Sequence, residues 1–263
     1  MHAPPKPRKE PRALPPQTLK GLKVLDLTWH VAGPYATRLL ADGGADVVKV
    51  ERPRLGDPAR TFGPFPNNDP HPERSGLFLA LNAGKRSVTL DLRTGEGRAI
   101  ILELASWADV AVESFAPGTL EALGLGYEAL KEANPVLVLC SLSNFGQRGP
   151  RRDWKATEFT LAAAAGLLNP DRARPAPHYL EYCAGAQAAA AIAQAVAGTN
   201  GGLLDTAIVD AAHTGNVDVP LLARVYSVDA TSPRLAQHNR EVYMGMLGFC
   251  AAELVFLRQT GAI

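Results

Sequence analysis

The feature that most constrains the fold is the run of residues 19–60, where two apolar segments enclose a helical pattern. Residues 24–27 (VLDL) are typical of a buried strand. After a turn, residues 35–42 place apolar side chains at helical spacing, and a pair of glycines stops the pattern. Residues 46–50 (DVVKV) predict a second strand. Strand, glycine turn, helix and strand in this order predict a βαβ unit.

The same alternation continues to residue 209 and predicts the fold class. Further strands are expected at 87–91, 109–113, 136–142 and 203–209, and helices at 94–107, 119–123, 127–133, 156–168 and 182–197. This order predicts an α/β fold with a doubly wound, Rossmann-like, mostly parallel sheet and helices on both faces. Such sheets bind ligands at the carboxyl ends of their strands, so we expect part of a small-molecule site at residues 29–34 and 51–60.

Composition excludes several classes of function. Lys and Arg number 27 against 26 Asp and Glu, so no global charge attracts nucleic acid or an anionic membrane. No apolar stretch reaches membrane-spanning length, and the scattered histidines predict no metal site. Three cysteines suit a reducing cytosol, and Cys140, at the end of the apolar run VLVLC, is expected to be a buried thiol. Residues 1–17 are rich in proline and charge and predict a disordered tail.

A series of short motifs resembles one known family. In chain order they are AGP at 32–34, GADVVKVE at 44–51, GDPAR at 56–60, NAGKRS at 82–87, ADVAVESFAPG at 108–118, SNFG at 143–146 and PRLAQHN at 233–239. Each motif is weak alone. Together and in this order they resemble the family III CoA-transferases (the CaiB/BaiF type, which includes formyl-CoA transferase), and the resemblance covers nearly the whole chain from residue 19.

The resemblance implies a site for coenzyme A or acyl-CoA as a substrate, with a carboxylic acid as second substrate and no tightly bound cofactor. The implied CoA-binding residues are Val31, Ala32, Arg52, Lys85, Arg86, Ser114, Phe115 and Lys155. A glycine turn and a helix N-terminus suit the phosphates of CoA, and Lys and Arg supply positive charge. The alternative for each basic residue is a solvated surface charge. Trp29 and Val31 are apolar at the nucleotide turn, which could reduce CoA affinity.

The resemblance also implies a carboxylate nucleophile at Glu181, where the family has an aspartate. It would attack an acyl-CoA to form a mixed anhydride and then a thioester. The alternative is an ordinary carboxylate near a helix N-terminus. Cys183 is expected to be a buried thiol rather than a nucleophile. Thr157 and Glu158 stand where related racemases have a His-Asp pair, which disfavours racemase activity, and Glu158 either positions its neighbours or is a plain helix carboxylate.

The resemblance further implies how the chain is divided. After the tail, residues 18–263 are expected to form a single large domain, with a sheet core at 19–212 and a closing segment at 233–263. Only the 20 residues 213–232 stand where the family has a second, smaller domain, so we expect that domain to be absent. Three functions stay open: an active CoA-transferase, a non-catalytic CoA-binding subunit that pairs with a complete homologue, or a decayed domain without ligand. A cytoplasmic homodimer, or a heteromer with a complete homologue, is expected.

Overall fold

The computed structural model describes residues 19–168, 176–198, 201–212 and 231–263. The strands in these ranges are β1 (Lys23–Leu27), β2 (Asp46–Glu51), β3 (Arg86–Thr89), β4 (Val110–Glu113), β5 (Val138–Ser143) and β6 (Gly202–Ala207). The α-helices are α1 (Ala32–Asp42), α2 (Gly76–Asn82), α3 (Gly95–Trp107), α4 (Thr119–Ala122), α5 (Tyr127–Ala133), α6 (Glu158–Ala164), α7 (Tyr179–Ala197) and α8 (Ala251–Gln259). None of these described helices is both long enough and apolar enough to cross a lipid bilayer.

The six strands form one sheet in the order β3-β2-β1-β4-β5-β6, and every neighbouring pair is parallel. In the middle of the sheet, Val24 of β1 pairs with Val47 on one side and Val110 on the other. The strand order reverses between β1 and β4, because the chain first winds outward to β3 and then returns. The predicted doubly wound parallel sheet is confirmed, and the reversal opens a crevice at the carboxyl ends of β1 and β4.

Two apolar cores cover the two faces of the sheet. On the first face, Val24 and Val112 pack with residues of α1, α6 and α7. On the second face, Leu25 and Ala111 pack with residues of α3, α5 and α8. Alternate side chains of a strand point to opposite faces, so a central strand with both faces covered is apolar throughout.

Small residues on α7 allow it to lie close against α1. A Cβ atom at Gly185 would stand 2.5 Å from the carbonyl oxygen of Ala32, so only glycine fits at this crossing. Ala184 and Ala188 are fully buried on the same helix. The alanine-rich sequence of α7 therefore allows close packing. The crossing holds the N-terminal turns of both helices at the carboxyl edge of the sheet.

The C-terminal segment closes the outer edge of β3. The Asn239 side chain accepts a hydrogen bond from the Thr89 N–H and donates one to Thr89 Oγ1, both at 2.9 Å. Nδ1 of His238 accepts the Ser87 N–H at 3.0 Å, and the Tyr243 hydroxyl donates to the Thr89 carbonyl. The segment continues through a π-helical turn at Glu241–Met246 into α8. These side chains and backbone groups replace the strand that β3 lacks on this side.

Several helix boundaries differ from the sequence prediction. Helix α1 begins at Ala32 rather than at residue 35, because Pro34 fits the first turn of a helix, where no N–H donor is needed. Helix α7 begins at Tyr179 rather than at residue 182, which places Glu181 inside its first turn. Helix α6 ends at Ala164, four residues earlier than predicted.

Two sequence predictions concern residues outside the described ranges. They are the disordered tail at 1–17 and the short connection that begins at residue 213, of which 213–230 are not described. Both stay predictions, as does the division of the chain into one large domain without a smaller one.

Candidate active site

An aromatic and cationic platform lies at the carboxyl edge of the sheet. The Arg52 guanidinium, directly after β2, stands 4.6 Å from the centre of the Trp29 ring, which follows β1. The Trp29 ring meets the Phe115 ring, after β4, edge to face with centroids 5.2 Å apart. Arg52 Nε donates to the Gly56 carbonyl at 3.3 Å, and its two Nη atoms have no partner among the described residues. The platform therefore offers a π surface and a guanidinium charge at the point where the strand order reverses.

Ser114 ties the two central strands together beside this platform. Its hydroxyl oxygen accepts the Trp29 N–H at 2.8 Å and lies 3.3 Å from the Trp29 carbonyl oxygen. Val31 and Ala32, at the start of α1, are almost fully buried, and no side chain caps the N–H groups of this turn. The structure thus brings five of the residues that the resemblance implies for CoA binding to one edge of the sheet, namely Val31, Ala32, Arg52, Ser114 and Phe115.

The GDPAR motif shapes the loop that carries Arg52. Asp57 accepts hydrogen bonds from the N–H groups of His30 and Ala59, and it pairs with the buried Lys49 ammonium at 2.9 Å. Arg60 donates two hydrogen bonds to the Glu51 carboxylate, at 2.7 and 2.8 Å. These buried pairs fix the loop to the end of β2, so the motif acts on the site through backbone position.

Lys85 is buried against the first turns of α1. Its ammonium donates to Asp26, to the Pro34 carbonyl, to Thr37 and to Asn82, all within 3.0 Å, and the side chain is fully buried. Burial lowers the pKa of Lys85 to about 8, with the Asp26 charge opposing and the Lys49 charge adding to this shift. Its ammonium supports the first turn of α1 from below.

Asp26 is the counter-charge of this buried cluster. Burial would raise the pKa of its carboxyl, but the charges of Lys49 and Lys85, with hydrogen bonds from Thr28 and Thr37, bring it down to about 2. The carboxylate is therefore ionised at every pH of interest. The cluster holds the ends of β1 and β2 in a fixed relation to α1.

Two other predicted cations lie apart from the platform. Arg86 opens β3 at the opposite, amino edge of the sheet, where it forms a two-pronged ion pair with Asp46 and another with Glu241. Lys155 is exposed on the segment before α6 and forms no hydrogen bond with the described residues. The structure does not bring Arg86 to the carboxyl edge, and its contact with CoA phosphates stays a prediction that this position disfavours.

Glu181 lies in the first turn of α7 with its carboxylate paired to an imidazole. Oε2 of Glu181 stands 2.5 Å from Nδ1 of His178, and the Glu181 side chain is 20% exposed. One turn later Gly185 abuts Ala32, so Glu181 shares the carboxyl edge with the start of α1. The Tyr182 ring packs edge to face on Tyr35 of α1 at 4.9 Å. A partly exposed carboxylate thus stands at a helix N-terminus beside the crevice.

Glu158 connects α6 to the same turn. Its Oε1 accepts the Tyr179 N–H at 3.0 Å, which satisfies one of the first-turn donors of α7. Thr157 caps α6 and exchanges hydrogen bonds with Thr160. Of the two roles open for Glu158, the contact with Tyr179 supports the positioning role.

The cysteines near the site are buried thiols. Cys183 lies in the core, where burial raises the pKa of its thiol and a hydrogen bond with Tyr179 opposes the shift. Burial raises the pKa of Cys140, in β5, to about 12. A raised thiol pKa lowers the fraction of thiolate, which is the form that a nucleophile requires.

A separate cavity of about 380 Å³ lies on the second face of the sheet, beyond the end of β4. Glu113 lines it together with Gln147, Arg148 and Arg152. The Glu113 carboxylate is buried and accepts the Phe115 N–H at 2.7 Å. Burial raises its pKa to about 7, with hydrogen bonds from Ser141 and Phe115 opposing and nearby carboxylates adding to the shift.

Sequence reasoning missed His178 and Glu113. A histidine three residues before a glutamate at a helix start was a readable signal, since residues three apart share one face of a helix. Glu113 ends an apolar strand in the ESF motif, and its only signal was a charged residue in a segment otherwise suited to burial.

Comparison with known proteins decides the family. The model of CoA-transferase family III matches residues 19–241. The chain belongs to CoA-transferase family III. The match spans the sheet, the platform and Glu181, and it ends inside the segment that closes β3.

Relatives of this family-III chain include two curated enzymes. It is 40% identical over 181 residues to the succinyl-CoA:glutarate CoA-transferase of Homo sapiens, covering 66% of this chain and 40% of that protein. It is 45% identical over 163 residues to the succinyl-CoA–D-citramalate CoA-transferase of Chloroflexus aurantiacus, covering 60% of this chain and 39% of that one. Among solved structures, a CaiB/BaiF family protein from Brucella suis superposes with a TM-score of 0.68 at 34% identity, covering 82% of this chain and 59% of that chain. The family-III chain thus spans less than two thirds of the length of each.

Proposed function

We propose that this chain moves CoA between an acyl-CoA and a carboxylic acid, with the Glu181 carboxylate as nucleophile. The observation that carries the proposal is the position of Glu181. A partly exposed carboxylate stands in the first turn of α7, at the same sheet edge as Trp29 and Arg52, inside the region that matches the family. A carboxylate nucleophile divides one difficult acyl transfer into two easier steps.

The platform residues would bind the CoA nucleotide. Trp29 and Phe115 offer apolar ring surface, and the two Nη atoms of Arg52 offer charged donors in the geometry that suits phosphate. Val31 and Ala32 would place uncapped N–H groups of α1 near a phosphate. Lys85 would act through the position of α1, because its ammonium already has four acceptors.

Short dicarboxylic acids are the proposed acceptor class. The support is the names of the relatives, which specify succinyl-CoA with glutarate in one and with D-citramalate in the other. The proposed assembly is a homodimer or a heteromer.

The alternative is a non-catalytic CoA-binding subunit that pairs with a complete homologue. The fraction of the relatives that the chain spans supports it, as does glutamate in place of the aspartate that the family resemblance implies. A glutamate side chain is one methylene longer, and a misplacement of about 1 Å can cost about a hundredfold in rate.

Adduct trapping tests the proposal. The protein would be incubated with succinyl-CoA or acetyl-CoA, quenched with hydroxylamine or borohydride, and mapped by peptide mass spectrometry. We expect a modification on Glu181 that is absent in Glu181→Gln. Calorimetry with CoA is the control, since both proteins should bind it. Binding without any adduct would contradict the transferase proposal and favour the partner-subunit alternative.

A further inference from the structure

His178 stands at the start of α7 in a position that presents its imidazole to Glu181. It adopts the left-handed conformation, with φ 61° and ψ 17°, just before the first helical residue. From there its Nδ1 meets Oε2 of Glu181 at 2.5 Å, three residues along the chain. The other carboxylate oxygen, Oε1, has no partner among the described residues. The two oxygens of the Glu181 carboxylate therefore differ, because only Oε2 contacts the imidazole.

We propose that His178 is a catalytic residue whose Nδ1–H stabilises the negative charge that forms on Oε2 when a CoA thiolate attacks the Glu181 carbonyl carbon. The inference rests on the proposed function of Glu181 as nucleophile. Acyl transfer passes through a negatively charged intermediate that requires a hydrogen-bond donor, and His178 supplies that donor.

In the first step Oε1, the oxygen of Glu181 that does not contact His178, is the one that reacts. Oε1 forms a bond to the thioester carbon of the acyl-CoA, the C–S bond breaks, and the CoA thiolate leaves with the electron pair. The product is a mixed anhydride in which Oε2 is a carbonyl oxygen. This step transfers no proton to or from the imidazole.

In the second step the charge returns to Oε2. The thiolate bonds to the Glu181 carbonyl carbon, and the carbonyl π electrons move to Oε2, which already has the Nδ1–H as its partner. When the carbonyl forms again, the bond from that carbon to Oε1 breaks and the first carboxylic acid leaves as its carboxylate. The result is a glutamyl-CoA thioester, and atoms and charges balance with the imidazole proton unmoved.

The surrounding carboxylates favour the protonated form of the imidazole. The hydrogen bond with Glu181 raises the pKa of His178, burial opposes this, and the charges of Glu181 and of Glu158 on α6 add to the rise. Glu158 approaches from the neighbouring helix through its contact with the Tyr179 N–H. The raised pKa favours the protonated imidazole before the reaction begins, and its Nδ1–H is then in place to donate to an oxyanion at Oε2.

Two substitutions separate the donor from the backbone conformation. His178→Gly tolerates the positive φ but removes the donor. His178→Asn also tolerates it, and its amide nitrogen is as many bonds from Cα as Nδ1 is. Each variant would be mixed rapidly with succinyl-CoA and quenched at intervals, and mass spectrometry would follow the anhydride and the thioester on Glu181. Thermal unfolding and calorimetry with CoA would establish that both variants fold and bind CoA.

The expected result is that His178→Gly still forms the anhydride but converts it to the thioester about 100-fold or more slowly, as for the loss of one oxyanion donor. His178→Asn should recover most of that rate. Equal thioester rates in wild type and His178→Gly would overturn the role of His178 and leave Glu181 as nucleophile. A wild-type protein that forms no adduct would overturn both.

A titration independent of activity tests the contact itself. The imidazole of His178 would be followed by NMR as pH is raised, in the wild type and in Glu181→Gln. We expect the wild-type imidazole to keep its proton to a higher pH than the imidazole of the variant. Identical titration curves would show that the two side chains do not interact and would overturn the proposal.

Discussion

At the scale of single residues, the site depends on which charged groups are already paired. Lys85 and Asp26 form a buried ion pair, whereas the Nη atoms of Arg52 have no partner among the residues that the structure describes. Glu113 differs from both, since it is buried with hydrogen-bond donors and forms no ion pair with the residues that the structure describes. Burial of an uncompensated carboxylate favours its neutral form, and this preference is a cost to folding at higher pH.

Glu113→Gln should therefore remove a pH-dependent loss of stability. The folded protein binds this proton more tightly than the unfolded chain, so stability should fall as pH rises from about 4.5 to about 7, and the loss should be complete above that. A shift of this size corresponds to about 3 kcal/mol. Urea unfolding of wild type and variant at pH 5 and pH 8 measures it.

The exposed carboxylate of Glu128, on α5, provides the control. Glu128→Gln should keep the wild-type difference between the two pH values, while Glu113→Gln should lose most of it. If both variants retain the full difference, then Glu113 does not carry a raised pKa.

At the scale of secondary-structure elements, the crossing of α1 and α7 determines where Glu181 stands. The two helices meet at Gly185, with no room for a side chain against the Ala32 carbonyl. Because Glu181 precedes this contact by one turn, a shift of α7 would move the nucleophile and the start of α1 relative to each other.

Gly185→Ala should separate the two helices. The added methyl group meets a backbone oxygen, which cannot rotate away, so we expect a loss of about 1–3 kcal/mol. For a chain of this size each kcal/mol lowers the unfolding temperature by about 2–4 °C, which calorimetry or circular dichroism would detect. Gly245→Ala is the matched control, because a Cβ there meets no atom within 4 Å. Equal unfolding temperatures for the two variants would refute the close crossing.

The strands were predictable because their hydrophobic pattern is continuous, and a central parallel strand needs apolar residues on both faces. The start of α7 was not, since Tyr179 to Glu181 carry no pattern that separates loop from helix. Lys85 and Arg86 show the limit for the site. They are adjacent basic residues that look equivalent in sequence, yet one closes a buried cluster under α1 and the other pairs with Asp46 at the opposite sheet edge. Which cations are already neutralised depends on partners about 40 to 60 residues away.

At the scale of the whole molecule, the amino ends and the carboxyl ends of the parallel strands differ in their chemistry. The formal net charge is only +1, so no long-range field selects where an anionic ligand binds. Local groups must do so. The carboxyl edge offers the platform of Trp29, Arg52 and Phe115, whereas at the amino edge Lys23 and Arg86 both approach the Trp107 ring at 5.8 Å.

Two of the three tryptophans of the chain can report which end of the strands binds CoA. Trp29 is at the carboxyl edge and Trp107 at the amino edge. We expect CoA to change the intrinsic fluorescence of the wild type and of Trp107→Phe, but to have a much smaller effect on Trp29→Phe. Calorimetry would establish whether each variant still binds. A change that survives in Trp29→Phe and disappears in Trp107→Phe would place the ligand at the amino edge and restore Arg86 as its partner.

The closing of β3 by the C-terminal segment has a consequence for synthesis. Ser87 and His238, which meet at this edge, are 151 residues apart. At ribosomal rates of about 5–20 residues per second, the partner of β3 emerges roughly 8–30 s after the strand itself. During this interval the nascent chain carries an open strand edge, which is the kind of surface that pairs with other chains. The edge of β3 therefore stays unpaired until the segment that contains His238 has been synthesised.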